Sequence, residues 1–158
     1  AKAMAIIDIG GRTTDVAVIQ NGNLDISRSS TINVGMLSVQ EMVKEAIIGK
    51  FDVTPTIEQL NTALSEKKIK LWGKWEPIAD LVLSAQKTIL SRIESECKRC
   101  IGSGADLDQV VFVGGTVAEV EGLLQGWFRN QHIGFEPGYA NARGMQKYAE
   151  MVMNTKAE

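Results

Sequence analysis

What this sequence has little of narrows its class quickly. Of 158 residues only two are cysteine, one is histidine and three are proline. That supply builds neither a disulfide framework nor a multi-cysteine metal module. No apolar run approaches the roughly 20 residues that cross a bilayer as a helix. We expect no secretory leader either, since the opening Ala1-Lys2-Ala3-Met4 lacks an apolar stretch of that kind. Charge of one sign is also missing: 17 Lys and Arg stand against 19 Asp and Glu, for a net −2. Such a balance supplies no basic field to hold a nucleic-acid backbone. The expectation is a cytoplasmic protein that meets neither nucleic acid nor membrane directly. What is present, 44% hydrophobic and 23% charged residues, suffices for one domain with a core but is too short for a complete two-lobed enzyme.

Hydrophobic patterning then orders the elements. Residues 4–9 and 16–19 are apolar and β-branched, and 24–32 alternate in part, which predicts three strands. Asn21-Gly22-Asn23 between the last two is a hairpin signal. Ser38-Val39-Gln40-Glu41 has the spacing of a capping box, and an apolar helical face follows as far as Gly49. From 50 to 77 the composition shifts, predicting an insertion of modest order: a short helix from Thr54-Pro55 to Leu64, then a small strand or hairpin over 69–75. Ile78, Leu81, Val82, Ala85, Ile89, Ile93 and Cys97 recur at spacings of three and four, a long helix closed by Gly102-Ser103-Gly104. Val110-Val111-Phe112-Val113 is continuous enough for a strand covered on both faces. Thr116 to Glu119 repeats the capping-box spacing, and Val117, Val120, Leu123, Leu124, Trp127 and Phe128 share the next helical face. An edge segment at 133–135 and a closing helix at about 139–152 complete the chain. Strands first, then helices alternating with strands, predict a mixed α/β layer fold.

Two junctions could carry chemistry. In Asp8-Ile9-Gly10-Gly11-Arg12-Thr13-Thr14-Asp15 a strand delivers a carboxylate, two glycines turn the chain, and hydroxyls precede a second acid. Backbone amides and the Thr13 hydroxyl suit phosphate oxygens, and Asp8 suits a hydrated Mg²⁺. The plain alternative is a glycine-rich hairpin with solvated acids. Gly114-Gly115-Thr116 ends the second buried strand directly before a helix, where open α/β sheets place flat ligands. Its plain alternative is a strand-to-helix turn.

The first of these motifs resembles the second phosphate motif of the actin, sugar kinase and heat-shock chaperone ATPase superfamily, and Val111-Phe112-Val113-Gly114-Gly115 resembles its adenosine motif. Asn33-Val34-Gly35 and Gly138-Tyr139-Ala140-Asn141-Ala142-Arg143-Gly144 are similar to the pattern of the ParM-like (StbA) bacterial plasmid segregation family. The resemblance implies an RNase H-like (actin-like ATPase) half-domain, a mixed sheet flanked by helices, spanning residues 1–158 with a small subdomain inserted at about 50–77. It implies ATP and Mg²⁺ as cofactors. Asp8 would organise the metal through water, with Asp15 in support. Gly10, Gly11, Arg12 and Thr13 would lie along the phosphates, and Gly114, Gly115 and Thr116 beside the adenosine. Thr116 stands where many relatives carry a third glycine, and Arg12 where they carry a smaller residue. The implied partners are further protomers in a filament, an N-terminal lobe of the same protein with its own phosphate motif, and an adaptor bound to DNA. On this reading the full protein hydrolyses ATP and the 158-residue chain alone does not. A sugar or acetate kinase lobe, and a nucleotide-free interaction domain of the same fold, stay open.

Other residues read more plainly. Cys97 and Cys100 have zinc-ligand spacing but no second pair, so both are expected to pack along the long helix. His132 is expected in a loop. Lys67, Lys68, Lys70 and Lys74 surround Trp72 and Trp75, either as a solvated face or with one lysine in an adenine pocket.

Overall fold

The structure, a computed structural model, describes residues 2–134. The expected closing helix at about 139–152, the residue at 135 and the segment Gly138 to Gly144 lie outside the described residues. Eight strands and four helices follow in the order β1 (Ala3–Ile9), β2 (Thr14–Gln20), β3 (Asn23–Leu24), β4 (Ser30–Ile32), α1 (Leu37–Phe51), α2 (Ile57–Glu66), β5 (Lys68–Leu71), β6 (Lys74–Pro77), α3 (Ala79–Ile101), β7 (Gln109–Val113), α4 (Val117–Leu124) and β8 (Gln131–Ile133). The main sheet runs β3-β2-β1-β7-β8, with β4 also paired to β2; β5 and β6 form a separate hairpin. β1 pairs antiparallel with β2 and parallel with β7, and β7 pairs parallel with β8, so the sheet is mixed.

Alternation along β1 divides the two faces. Ala3, Ala5, Ile7 and Ile9 join the large cluster under α1 and α3, whereas Met4 and Ile6 join Ala17, Ile19, Val111 and Val113 on the other face. Continuing that second series by two residues reaches Asp8. All five residues of β7 are buried, as a strand covered on both sides requires. Phe112 anchors its end, edge-to-face with Trp127 at 5.5 Å between ring centroids.

Several local expectations are corrected. The expected strand over 24–32 is broken by a 3-10 turn at Ile26–Arg28, because Asp25 accepts from the Ser27 amide and pulls the chain out of the ladder. α1 starts at Leu37 with Met36 in the cap position and no side-chain cap, so Ser38 is inside the helix. It also runs past Gly49 to Phe51 and ends where Asp52 turns left-handed (φ 55°). Thr116 does not cap α4 with its side chain. Trp127 and Phe128 lie beyond the end of α4, buried after a turn through Gly126. The 50–77 segment is well formed: Thr56 and Gln59 make a reciprocal capping box at the start of α2. Its Ala63, with Ile69 and Leu71 of β5, belongs to the main core.

Candidate functional site

The loop between β1 and β2 is fixed from three directions. Gly10 donates its amide to the Thr13 carbonyl at 2.9 Å, which closes the turn. The carbonyls of Gly10 and Gly11 accept from the amides of Met36 (2.9 Å) and Leu37 (2.8 Å), so the start of α1 rests on the loop. Gly35 makes that approach possible: a Cβ there would sit 2.6 Å from the Gly10 oxygen and still closer to that of Gly11. Thr14, fully buried, donates from Oγ1 to the Val34 carbonyl at 2.9 Å and holds the preceding segment in place.

Asp8 and Asp15 are direct partners across the β1–β2 ladder, and Asp8 also neighbours Val113 of β7. Burial, and then the nearby Asp15 charge, push the Asp8 carboxyl above the usual carboxylate range. Asp15 accepts from the Thr31 hydroxyl at 2.7 Å. Gly114 lies against this corner with φ 129°; a Cβ would stand 2.5 Å from the Ile9 oxygen and 3.3 Å from Asp8 Oδ1. Gly115 has open space around it. Asp8, Asp15 and Gly114 therefore meet at the carboxyl ends of β1 and β7, where parallel strands leave room for a ligand.

Beside them is a cleft of about 630 Å³, whose wall includes Gly11, Leu37, Lys67, Gln86, Thr116 and Glu119, a size that suits a small organic ligand. Each sequence junction gives this wall one residue, Gly11 and Thr116, and the 50–77 segment joins through Lys67, whereas Asp8, Gly10, Thr13, Asp15, Gly114 and Gly115 are not part of it. Thr116 Oγ1 is buried there with no hydrogen-bond partner, an uncompensated polar atom that a ligand could pair. Arg12 is exposed and faces a different groove, with Glu41, Glu45 and Arg92. Among the four lysines, Lys67 reaches the cleft while Lys68 and Lys70 lie over the Trp75 ring.

The remaining candidates separate. Cys97 and Cys100 are both on α3, and burial pushes the Cys97 thiol up to about 12, which keeps it protonated and unreactive. His132 stands in β8 rather than in a loop. Among the described residues no cluster of three or more His, Cys, Asp or Glu is arranged to hold a metal ion, and no helix is long and apolar enough to cross a membrane. The role of Thr14 is not legible from its sequence neighbours, because its hydroxyl bonds a segment twenty residues on; the signal in the sequence is the adjoining Asn33-Val34-Gly35.

Comparison with known proteins gives the same architecture. Residues 6–126 match the family described as archaeal actin homologue MreB-like, C-terminal. No curated protein matches. The chain is similar to a non-polymerisable quadruple mutant of pCBH ParM, at 22% identity and a TM-score of 0.80, over 95% of this chain and 47% of that one. It is similar to a ParM seen as a 15-stranded filament from Clostridium botulinum, at 21% and 0.78, over 95% and 46%. The archaeal actin homologue Ta0583, solved with ADP, gives 18% and 0.73, over 95% and 50%. The chain thus spans about half the length of each, and the shared property is an actin-like α/β fold.

Proposed function

Because the chain belongs to the C-terminal family of MreB-like archaeal actin homologues, we propose that it is the nucleotide-binding lobe of an actin-like, filament-forming ATPase. The observation that carries this is the corner where Asp8 and Asp15 face one another beside Gly114. Like charges set opposite across a ladder are destabilising, and a divalent cation with a triphosphate would relieve them. The donor set fits Mg²⁺. Two hard carboxylates without a third protein ligand match an ion that keeps its waters and takes its other oxygens from phosphate. When bound, Mg²⁺ would neutralise phosphate charge and orient the terminal phosphoryl group.

The chain's own residues would divide the rest. Gly11, Arg12 and Thr13 would offer backbone amides to the phosphates, since the Gly10 amide already closes the turn. Gly115, open to approach, would lie under the sugar, and Thr116 would give its unpartnered hydroxyl to the nucleoside. Lys67 and Gln86 would flank the base in the cleft. The Arg12 side chain takes no part, as it belongs to the neighbouring groove. The residue that aims the attacking water would come from the other lobe, so this chain alone would bind nucleotide without turning it over. The resemblance to ParM further suggests a cytoplasmic role in plasmid segregation, with filament protomers and a DNA-bound adaptor as partners. Isothermal titration of the chain with ATP, with and without Mg²⁺, tests the core of this reading. Binding that Mg²⁺ strengthens, and that Asp8→Asn makes indifferent to Mg²⁺, is expected; absence of any ATP or ADP binding would overturn it.

A further inference from the structure

We infer that the N-terminus of α1 is what aims the phosphate-binding amides, with Gly35 as the positioning residue. This rests on the nucleotide reading above and extends it to the device that shapes the loop. In a trans peptide the carbonyl and the following N–H point in opposite directions. The Gly10 carbonyl is held on the Met36 amide and the Gly11 carbonyl on the Leu37 amide. The N–H groups of Gly11 and Arg12, on the far sides of those same two peptides, are thereby turned away from α1. Two successive amides facing one way make a small anion-binding concavity.

The arrangement also explains why α1 has no side-chain cap. Its first amides are satisfied by the loop carbonyls, so cap and phosphate loop are one structure. The approach is permitted only by the missing side chain of Gly35 and is kept in register by Thr14 Oγ1 on the Val34 carbonyl. Arg12 thus contributes through its backbone, which accounts for a long charged side chain in a phosphate loop: it lines the neighbouring groove along with Glu41 and Glu45 and is not in the wall of the cleft.

Amide NMR of the full chain, with ATP, ADP and adenosine as probes, tests this. In the wild type the Met36 and Leu37 amides should resist hydrogen exchange. The Gly11 and Arg12 resonances should shift with ATP and ADP but little with adenosine. Gly35→Ala should expose the first pair to exchange and weaken ATP binding by about 10- to 100-fold, the loss expected for charge-assisted hydrogen bonds, while adenosine affinity stays within about twofold. Thr14→Val should move the same way by a smaller factor, and Thr14→Ser, which keeps the hydroxyl, should behave as wild type; these two serve if Gly35→Ala does not fold. A Gly35→Ala chain that loses the Met36 and Leu37 protection yet binds ATP as tightly as wild type would overturn the inference. So would wild-type ATP binding that leaves the Gly11 and Arg12 amides unmoved. A wild-type chain with no response to ATP or ADP would instead sink the nucleotide reading itself, and the positioning role with it.

Discussion

At the scale of single residues, the Asp8–Asp15 corner would set the proposed function against stability. The folded-state pKa of Asp8 is raised, first by burial and then by Asp15. Its contribution to stability is therefore full below the unfolded carboxyl range and is lost as pH rises through the raised folded value. Asp8→Asn mimics the protonated form, so it should raise the melting midpoint at pH 7, with the gain fading toward about pH 3. Thermal melts of both proteins across that interval check this; a variant no more stable than wild type at neutral pH would count against it. Gly114 carries the opposite balance. With φ 129° and the Ile9 oxygen 2.5 Å from any Cβ, Gly114→Ala should cost at least about 1–3 kcal/mol in urea unfolding. Arg12→Ala should leave ATP affinity within about twofold, because what a phosphate would meet there is the peptide N–H.

At the scale of elements, the reciprocal cap of α2 is exposed, and its Gln59 side chain also donates to the Lys70 carbonyl of β5 at 3.2 Å. Thr56→Ala should destabilise the chain by about 1 kcal/mol without altering nucleotide affinity, measured by urea unfolding and calorimetry side by side. That cap also shows where the sequence could be read and where it could not. Strong periodicity located α1, α3 and β7, and Asn21-Gly22 located the β2–β3 hairpin, since each signal is local. Neither α1 nor α4 takes a side-chain cap. Ser38 and Thr116 have the right spacing, but the amides at the start of α1 go to Gly10 and Gly11, partners fixed by the tertiary fold. The break at Ile26–Arg28 was hidden for a similar reason: the Asp25 carboxylate outcompetes the ladder, and apolar alternation does not register such competition. The Asp8 to Thr13 and Gly114–Gly115 junctions stood out in the sequence. That Gly11 and Thr116 share one cleft with Lys67 depends on β1 and β7 lying side by side across a hundred residues, a pairing no local pattern contains.

For the molecule as a whole, the cleft draws its wall from the β1–β2 loop, the start of α4 and the 50–77 segment. A protein that joins this chain to a second lobe carrying its own phosphate motif should scatter more light on adding Mg²⁺ and ATP, and should release phosphate, while the 158-residue chain does neither. Phosphate release by the isolated chain would contradict that division. The route from loop to outer segment is itself direct. α1 is 15 residues long, a stiff rod of about 22 Å, rooted on the Gly10 and Gly11 oxygens and handing over at Asp52 to the stretch that leads into α2. A tilt of about five degrees at that root would displace the far end by about 2 Å, so on the nucleotide reading proposed above this helix would carry a change at the loop to the outer rim of the pocket.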